Sequence, residues 1–361
     1  MNAGSLSLTP SKPRPAVSSP LTGKQLLRLY YLMIVSRIAD ERALIAHKQG
    51  RIGFYVPAVG EEAAEVGSVF ALSPEDWIFP DYRGSGIALA REMPLKIFFD
   101  QVLGNIEDVL KGHSMPSHWG DSSLNIVAPS SPICTHLSHA VGVAWAAMMK
   151  REKMVTISYF GDGGTSSGEF HGAVNLAGVF KIPTIFFCRN NQYAISVPVD
   201  RQTAVTNLAE KASAYGITGV RVDGNDVLAV YLATKEARQR ALRGDGPTFI
   251  EAVTYRLGPH TTIDDPMKYR GKTEEESAWK RDPILRFSEY LTTLGLWDME
   301  KDQVLRNKIK EDVNLAITNA KEVPKPEIDS LFEDVYSTSP WHLDEQRMEA
   351  RRFVASKRQI Q

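Results

Sequence analysis

The segment Gly161–Gly168 (GDGGTSSG) directly follows the apolar, β-rich run Met154–Phe160 (MVTISYF). Consecutive glycines at a strand-to-helix turn let the main chain approach a ligand, and the amino end of the next helix favours phosphate. Two common phosphate loops do not fit. GxGxxG counted from Gly161 needs glycine at position 166, where Ser166 stands, and GxxxxGK[ST] fails because no Lys follows Gly168. Asp162 sets this loop apart. A carboxylate beside bound phosphate is repelled by it unless a cation lies between them, and oxygen ligands next to phosphate suit magnesium. Asn190, Asn191 and the Tyr193 carbonyl follow the next apolar run, Thr184–Cys188 (TIFFC). They would emerge at the same carboxyl edge of a sheet as Asp162, where open α/β sheets hold their ligands. Taken singly, the glycines read equally well as a tight turn and the asparagines as a polar turn. Both together, each after an apolar strand and separated by one helix, point to a metal-bridged phosphate site.

His260 is the other candidate for chemistry. It lies in the polar loop Gly258–Arg270, close in sequence to Asp264 and Asp265. A histidine there is expected to titrate near neutrality and to serve as acid or base. His136 and His139 form an HxxH without a companion acid or cysteine, which is weak evidence for zinc and fits packing better.

The elements that position these residues alternate. Apolar residues from Gln25 to Gln49 recur at helical spacing, Gly53–Gly60 is a break, and Glu61–Leu72 and Pro94–Leu103 read as helices. Strands are expected at Met154–Phe160, Thr184–Cys188, Gly219–Val222 and Phe249–Tyr255. Helices are expected at Phe170–Phe180 and Val227–Leu242, the latter capped by Asn225 or Asp226. Apolar strands alternating with helices imply a mostly parallel, doubly wound α/β sheet with helices on both faces. Beyond it, Pro283–Leu296 and Met299–Lys321 read as amphipathic helices, Val323–Pro326 as a linker, and the remainder as a tail. The organisation expected is therefore a flexible Ser/Pro-rich tail over residues 1–20, an α/β domain over 21–275, and a helical region with its tail over 276–361.

Composition narrows the classes further. In 361 residues, 42 Lys and Arg against 43 Asp and Glu give a net charge of −1. That excludes a nucleic-acid binder held by bulk charge. No apolar run approaches the ~20 residues of a membrane span. Two distant cysteines, Cys134 and Cys188, and no signal-peptide or transit-peptide pattern favour a reducing compartment, the cytoplasm.

GDG followed by the NN pair resembles the thiamine diphosphate fingerprint. The segments DYRGSG (81–86), MPSHWG (115–120), SSPICTHLSHAVG (130–142), FFCRNNQYAIS (186–196), VRVDGNDVLAVYLATKEAR (220–238) and YRLGPHTTIDDPMKYR (255–270) resemble the alpha chains of 2-oxo acid dehydrogenases. The likeness runs from about residue 25 to 345, with FFCRNNQYAIS and MPSHWG leaning toward the branched-chain type. It implies a thiamine diphosphate-binding fold with Asp162, Asn191 and the Tyr193 carbonyl on Mg2+. It also implies Tyr82, Arg83 and Arg189 on the diphosphate, with Ser131, Ile133, Gly163 and Gly164 completing the cofactor contacts. Without the resemblance, Arg189 reads equally as the partner of an acid. A K+ ion would involve Ser130, Pro132 and Thr135, with His136 where relatives carry Gln. The imidazole is the poorer potassium ligand.

The resemblance further assigns His260 to acyl transfer, with Arg256, Asp264, Tyr269 and Arg270 ordering its loop. Thr261 stands where some relatives carry a phosphorylatable serine. The implied activity is oxidative decarboxylation of a branched-chain 2-oxo acid with reductive acylation of a lipoyl group on an acyltransferase partner. Pyruvate or acetoin dehydrogenase alpha chains, and a non-catalytic homologue, are the other readings. The family glutamate that activates the cofactor comes from a beta subunit, so an α2β2 heterotetramer is expected and the chain alone should be inactive.

Overall fold

The computed structural model describes residues 19–334 and 336–358. Up to residue 18, the tail expected over residues 1–20 lies outside the described residues. Helix α1 (Gly23–Lys48) opens on a capping box in which the Thr22 side chain accepts from the Gln25 amide and the Gln25 side chain returns to the Thr22 main chain. After the break come α2 (Glu62–Phe70), the short strand β1 (Trp77–Phe79), α3 (Ser85–Ala90) and α4 (Leu95–Leu103). An irregular stretch leads to α5 (Thr135–Lys150), β2 (Thr156–Gly161), α6 (Gly168–Phe180) and β3 (Thr184–Asn190). A small hairpin, β4 (Tyr193–Ala194) with β5 (Val197–Pro198), precedes β6 (Thr218–Asp223), α7 (Val227–Leu242) and β7 (Thr248–Val253). The C-terminal helices are α8 (Lys272–Trp279), α9 (Pro283–Thr293), α10 (Met299–Glu322) and α11 (Trp341–Arg358).

Among the described residues, one wholly parallel sheet runs in the order β1-β2-β3-β7-β6. Its two faces feed two cores, because successive side chains of a strand point opposite ways. Ile157, Tyr159, Ile185, Phe187, Ile250 and Ala252 pack with residues of α1, α2 and α7. Phe160, Phe186, Cys188 and Phe249 pack instead with Leu137 and Val141 of α5 and with Phe170 and Val174 of α6. Burial on both sides explains why β3 contains no exposed residue. With every strand running the same way, their carboxyl ends meet at one edge. Asp81, Asp162, Asn190–Asn191 and Thr254–Arg256 stand there.

The fold is the doubly wound α/β sheet expected, with Asp226 as the cap of α7: its Oδ1 accepts from the Leu228 and Ala229 amides, both at 3.1 Å. The sequence reading gave no element at β1, α3, α5, the β4–β5 hairpin, α8 or α11. Strand β1 has three residues, too few for a periodic signal. Helix α5 carries small residues in place of a clear apolar stripe, and its capping residue Cys134 adopts φ 68° with no side-chain cap. The segment expected to be a tail forms α11, whose few apolar residues hide it from periodicity. Arg351 pairs with Asp329 and Arg347 lies over the Phe332 ring, which binds α11 to the preceding turn.

Helices α9 and α10 share the core of α1 rather than forming one of their own. Tyr30 donates to Asp302 at 2.6 Å, and Arg37, only 5% exposed, donates to Asp282 at 2.8 Å and to Glu62 at 2.9 Å. Removing one partner of a buried pair strands the others, which costs about 3–5 kcal/mol. Arg37→Ala should therefore lower the free energy of unfolding by about that much, read from denaturant titration, whereas Arg28→Ala at the exposed Arg28–Glu92 pair should cost under about 1 kcal/mol.

Candidate active site

A cavity of about 400 Å³ opens at the carboxyl edge of the sheet. The turn after β2 contributes Gly161, Asp162, Gly163 and Gly164, the end of β3 contributes Arg189 and Asn191, and the hairpin contributes Tyr193, Ala194 and Ile195. Tyr82 and Arg83 enter from the loop after β1, Ser131 and Ile133 from the approach to α5, and His260 from the loop beyond β7. All the residues that the resemblance assigns to the cofactor thus line one space. The glycines of the loop answer to the protein's own packing as well as to a ligand. A Cβ on Gly163 would lie 2.7 Å from the Ala194 Cβ, and one on Gly164 would lie 2.6 Å from the Cys134 Sγ.

Asp162 is 2% exposed and accepts from Gln202 Nε2 at 2.6 Å. Burial pushes its carboxyl up to about 6, the Gln202 bond opposing this and the neighbouring Glu61 charge adding to it. The two asparagines part company. Asn190 turns into the core and donates to Glu251 at 2.8 Å, whereas Asn191 donates to Glu61 at 2.7 Å at the cavity wall. The Tyr193 carbonyl accepts from Arg256 at 3.1 Å and retains a second lone pair. Asp162, Asn191 and this carbonyl form an oxygen set of the kind that hard divalent cations take.

Arg189 is 1% exposed, and its terminal nitrogens engage Glu65, Asp81 and the Arg83 carbonyl. The acid-paired reading of this residue is therefore correct for those nitrogens. Only Nε, buried without a hydrogen-bond partner, is left uncommitted. Burial raises the Glu65 carboxyl well above the usual range. Burial acts the same way on Asp81, but Arg189 outweighs it and holds that carboxyl below its ordinary value.

His260 departs from its expectation of titrating near neutrality. Burial, then the Arg83 and Arg256 guanidinium groups, depress its pKa from 6.5 to about 3, against the weaker pull of Asp264. Asp264 does not touch the ring. Its Oδ2 accepts from the His260 amide at 2.7 Å and from the Tyr269 hydroxyl at 2.6 Å. Arg83 approaches His260 Nδ1 at 3.0 Å. A guanidinium only donates, so Nδ1 accepts and the proton of the neutral ring resides on Nε2. The loop is ordered as expected by Arg256, which donates to the Tyr269 hydroxyl at 2.9 Å, and by Arg270, which donates to the Gly258 carbonyl at 2.9 Å.

The family model for the dehydrogenase E1 component matches residues 30–329. The chain belongs to that family. It is 42% identical over 319 residues to the 2-oxoisovalerate dehydrogenase subunit alpha of Bacillus subtilis, covering 88% of this chain and 97% of that one. It is 42% identical over 335 residues to the mitochondrial 2-oxoisovalerate dehydrogenase subunit alpha of Homo sapiens, covering 92% and 75%. It is also 42% identical over 327 residues to the pyruvate dehydrogenase E1 component subunit alpha of Staphylococcus aureus, covering 90% and 86%. Membership in the E1 family implies dependence on thiamine diphosphate.

Within this E1 chain, three of the four residues assigned to potassium gather. Ser130 Oγ lies 2.6 Å from Thr135 Oγ1, which donates to the Pro132 carbonyl at 2.8 Å. His136 does not join them. Its Nε2 donates to the Tyr159 carbonyl of β2 at 2.7 Å, so the ring faces the sheet. Among the cavity residues that the sequence did not single out are His118 and Glu61. His118 Nε2 accepts from Ser131 Oγ at 2.9 Å, because Nδ1 is turned to the Pro116 carbonyl at 3.0 Å. Glu61 lies at the end of the break before α2, and an acid directly after glycine at a helix entry was the available signal.

The His260 geometry has a pH signature. Because the folded pKa lies below 6.5, the unfolded chain binds the extra proton first. The stabilisation from the neutral ring is complete above 6.5 and is lost as pH falls from 6.5 toward 3. In 15N-histidine spectra the His260 ring, assigned with His260→Gln, should remain neutral with Nε2 protonated between pH 5 and 8. Arg83→Met should raise its pKa toward the ordinary value.

Proposed function

We propose that this chain is the alpha subunit of the decarboxylating component of a 2-oxo acid dehydrogenase complex. With a beta subunit it releases carbon dioxide from a branched-chain 2-oxo acid and passes the acyl group to a lipoyl group on an acyltransferase. The observation that carries the reading is the gathering of Asp162, Asn191, the Tyr193 carbonyl and a neutral His260 around one cavity.

The side chains present suit thiamine diphosphate with a divalent cation. Asp162 is a buried carboxylate whose side-chain partner is Gln202, and a cation between the loop and the asparagine would offset the cost of its burial. Arg189 Nε and Arg256 Nε are buried without partners, a disposition suited to phosphate oxygens. Mg2+ would be held by Asp162, Asn191 and the Tyr193 carbonyl, and the diphosphate by Tyr82, Arg83, Arg189 and the main chain at Gly163 and Gly164. Potassium, where bound, would fall to Ser130, Pro132 and Thr135. Thiamine diphosphate supplies the electron sink for decarboxylation when bound, and the protein supplies position and electrostatics.

His260 acts as a donor from Nε2 to the acyl oxygen or the lipoyl sulfur. A proton on that atom is held in place because Arg83 occupies Nδ1. Phe54, Val56, Met115, Ile133 and Ile195 give the cavity an apolar wall suited to a branched aliphatic side chain. Met115, Ile133 and Ile195 are about half exposed, which suits coverage by a beta subunit at the mouth.

Three outcomes test this. The chain purified alone should show no decarboxylation, and coexpression with its beta subunit should restore it; turnover by the lone chain refutes the proposal. The restored complex should use 2-oxoisovalerate at least about tenfold better than pyruvate in kcat/KM, since two added methyl groups in an apolar pocket give differences of that order. A preference for pyruvate would transfer the assignment to a pyruvate dehydrogenase, as the Staphylococcus relative suggests. Asp162→Ala should abolish magnesium-dependent binding of thiamine diphosphate in calorimetry while the far-UV spectrum stays unchanged.

A further inference from the structure

Glu61 is wholly buried, yet its hydrogen-bonding is sparse for a carboxylate in that position. Oε1 accepts from Asn191 Nδ2 at 2.7 Å. Oε2 has no hydrogen-bond partner; Arg189 Nη1 lies 3.5 Å from it and Arg83 Nε lies 3.7 Å from Oε1, both within ion-pair reach but beyond good hydrogen-bond range. Burying a carboxylate is costly unless it is paired, and these two guanidinium groups and the Asn191 amide are what offset that cost.

Its place is enforced from outside. Gly60 has φ +99°, and any side chain there would overlap the Tyr255 carbonyl. Thr254 Oγ1 donates to the Gly60 carbonyl at 2.8 Å, which pins the main chain one residue ahead of Glu61.

The consequence falls on Asn191. A primary amide has an oxygen end and a nitrogen end, and only the oxygen can bind a cation. On one side a carboxylate, which only accepts, takes Nδ2. On the other the Tyr193 main-chain amide, which only donates, approaches Oδ1 at 3.3 Å. The two groups together exclude the flipped amide. We propose that Glu61 is a positioning residue for the metal, fixing the Asn191 side chain with its oxygen offered to the divalent cation that Asp162 also holds. This rests on the function proposed above.

The test is Mn2+ binding, followed by electron paramagnetic resonance, in the assembled complex with the beta subunit and saturating thiamine diphosphate. Outer partners of metal ligands are worth on the order of 10–100-fold in affinity, so Glu61→Ala should weaken Mn2+ by that factor. Glu61→Gln, whose Oε1 still accepts from Asn191, should bind closer to the unaltered complex than Glu61→Ala does. Glu61→Met, which fills the same volume without an acceptor, should match Glu61→Ala and replaces it if the alanine variant does not assemble. Because Glu61 acts through Asn191, adding Glu61→Ala to Asn191→Ala should weaken binding no further. Unchanged Mn2+ affinity in both Glu61→Ala and Glu61→Met overturns the inference, as do multiplicative losses in the double variant or a Glu61→Gln as weak as Glu61→Met. An unaltered complex that binds no Mn2+ overturns instead the functional reading beneath it.

Discussion

Burial of ionised groups is the constraint on which the cavity depends. Arg189, at the end of β3, can remain charged in a dry interior because Asp81 after β1, whose carboxyl it holds below the ordinary value, sits against it, with Glu65 of α2 accepting from the same guanidinium. Arg189 and its two partners come from three separate segments, so the ion cluster dictates how they meet. The same segments carry the residues that face the cavity: Glu61 just ahead of α2, Tyr82 and Arg83 just beyond Asp81, and Asn191 two residues past Arg189. Electrostatics below the floor therefore determines spacing at the surface of the site. Gly86 belongs to the same arrangement, since its amide donates to Glu65 at 2.8 Å and leaves no room for a side chain.

The surroundings of His260 follow from that floor. Arg83 reaches past the cavity to Nδ1 and to the His260 carbonyl, and also donates to the Pro57 carbonyl. A loop that looks mobile from its composition is thereby tied to two others. Thr262 adds to this, its amide donating to the Tyr55 carbonyl at 3.1 Å. Tyr55 in turn donates to Asp40 of α1 at 2.7 Å, and Asp40 also accepts from the Ala58 amide at 2.6 Å. The wall around the histidine is thus anchored in the longest helix of the core. Burial, and then a positive neighbour within hydrogen-bond reach, keep the ring neutral, and neutrality makes it a donor of defined direction rather than a diffuse cation.

Local patterns carried much of this protein. Alternation of apolar strands with helices implied a parallel sheet, and a parallel sheet obliges its strand ends to share one edge. From that alone Asp162 and Asn191 were expected at the same edge, and a carboxylate beside phosphate called for a cation; the adjacency of β2 and β3 that makes them neighbours came from the structure. Sequence reasoning was blind where a signal was short or non-periodic, as in the three residues of β1, the small-residue surface of α5 and the polar α11.

Residue types and their order along the chain determined the fold class and the sheet edge shared by Asp162 and Asn191, because these follow from spacing and from which groups can bear charge or donate oxygen. Tyr82, Arg83, Ser131 and Ile133, by contrast, were tied to the site only by the family resemblance. Only the tertiary structure decided what each group is worth there. It assigned Arg189 to acids, turned Asn190 inward, directed His136 to the sheet, placed Glu61 against Asn191 and held His260 neutral. Proton affinity and side-chain direction depend on neighbours brought from distant parts of the chain and on exclusion of water, and neither is written in any local stretch of sequence.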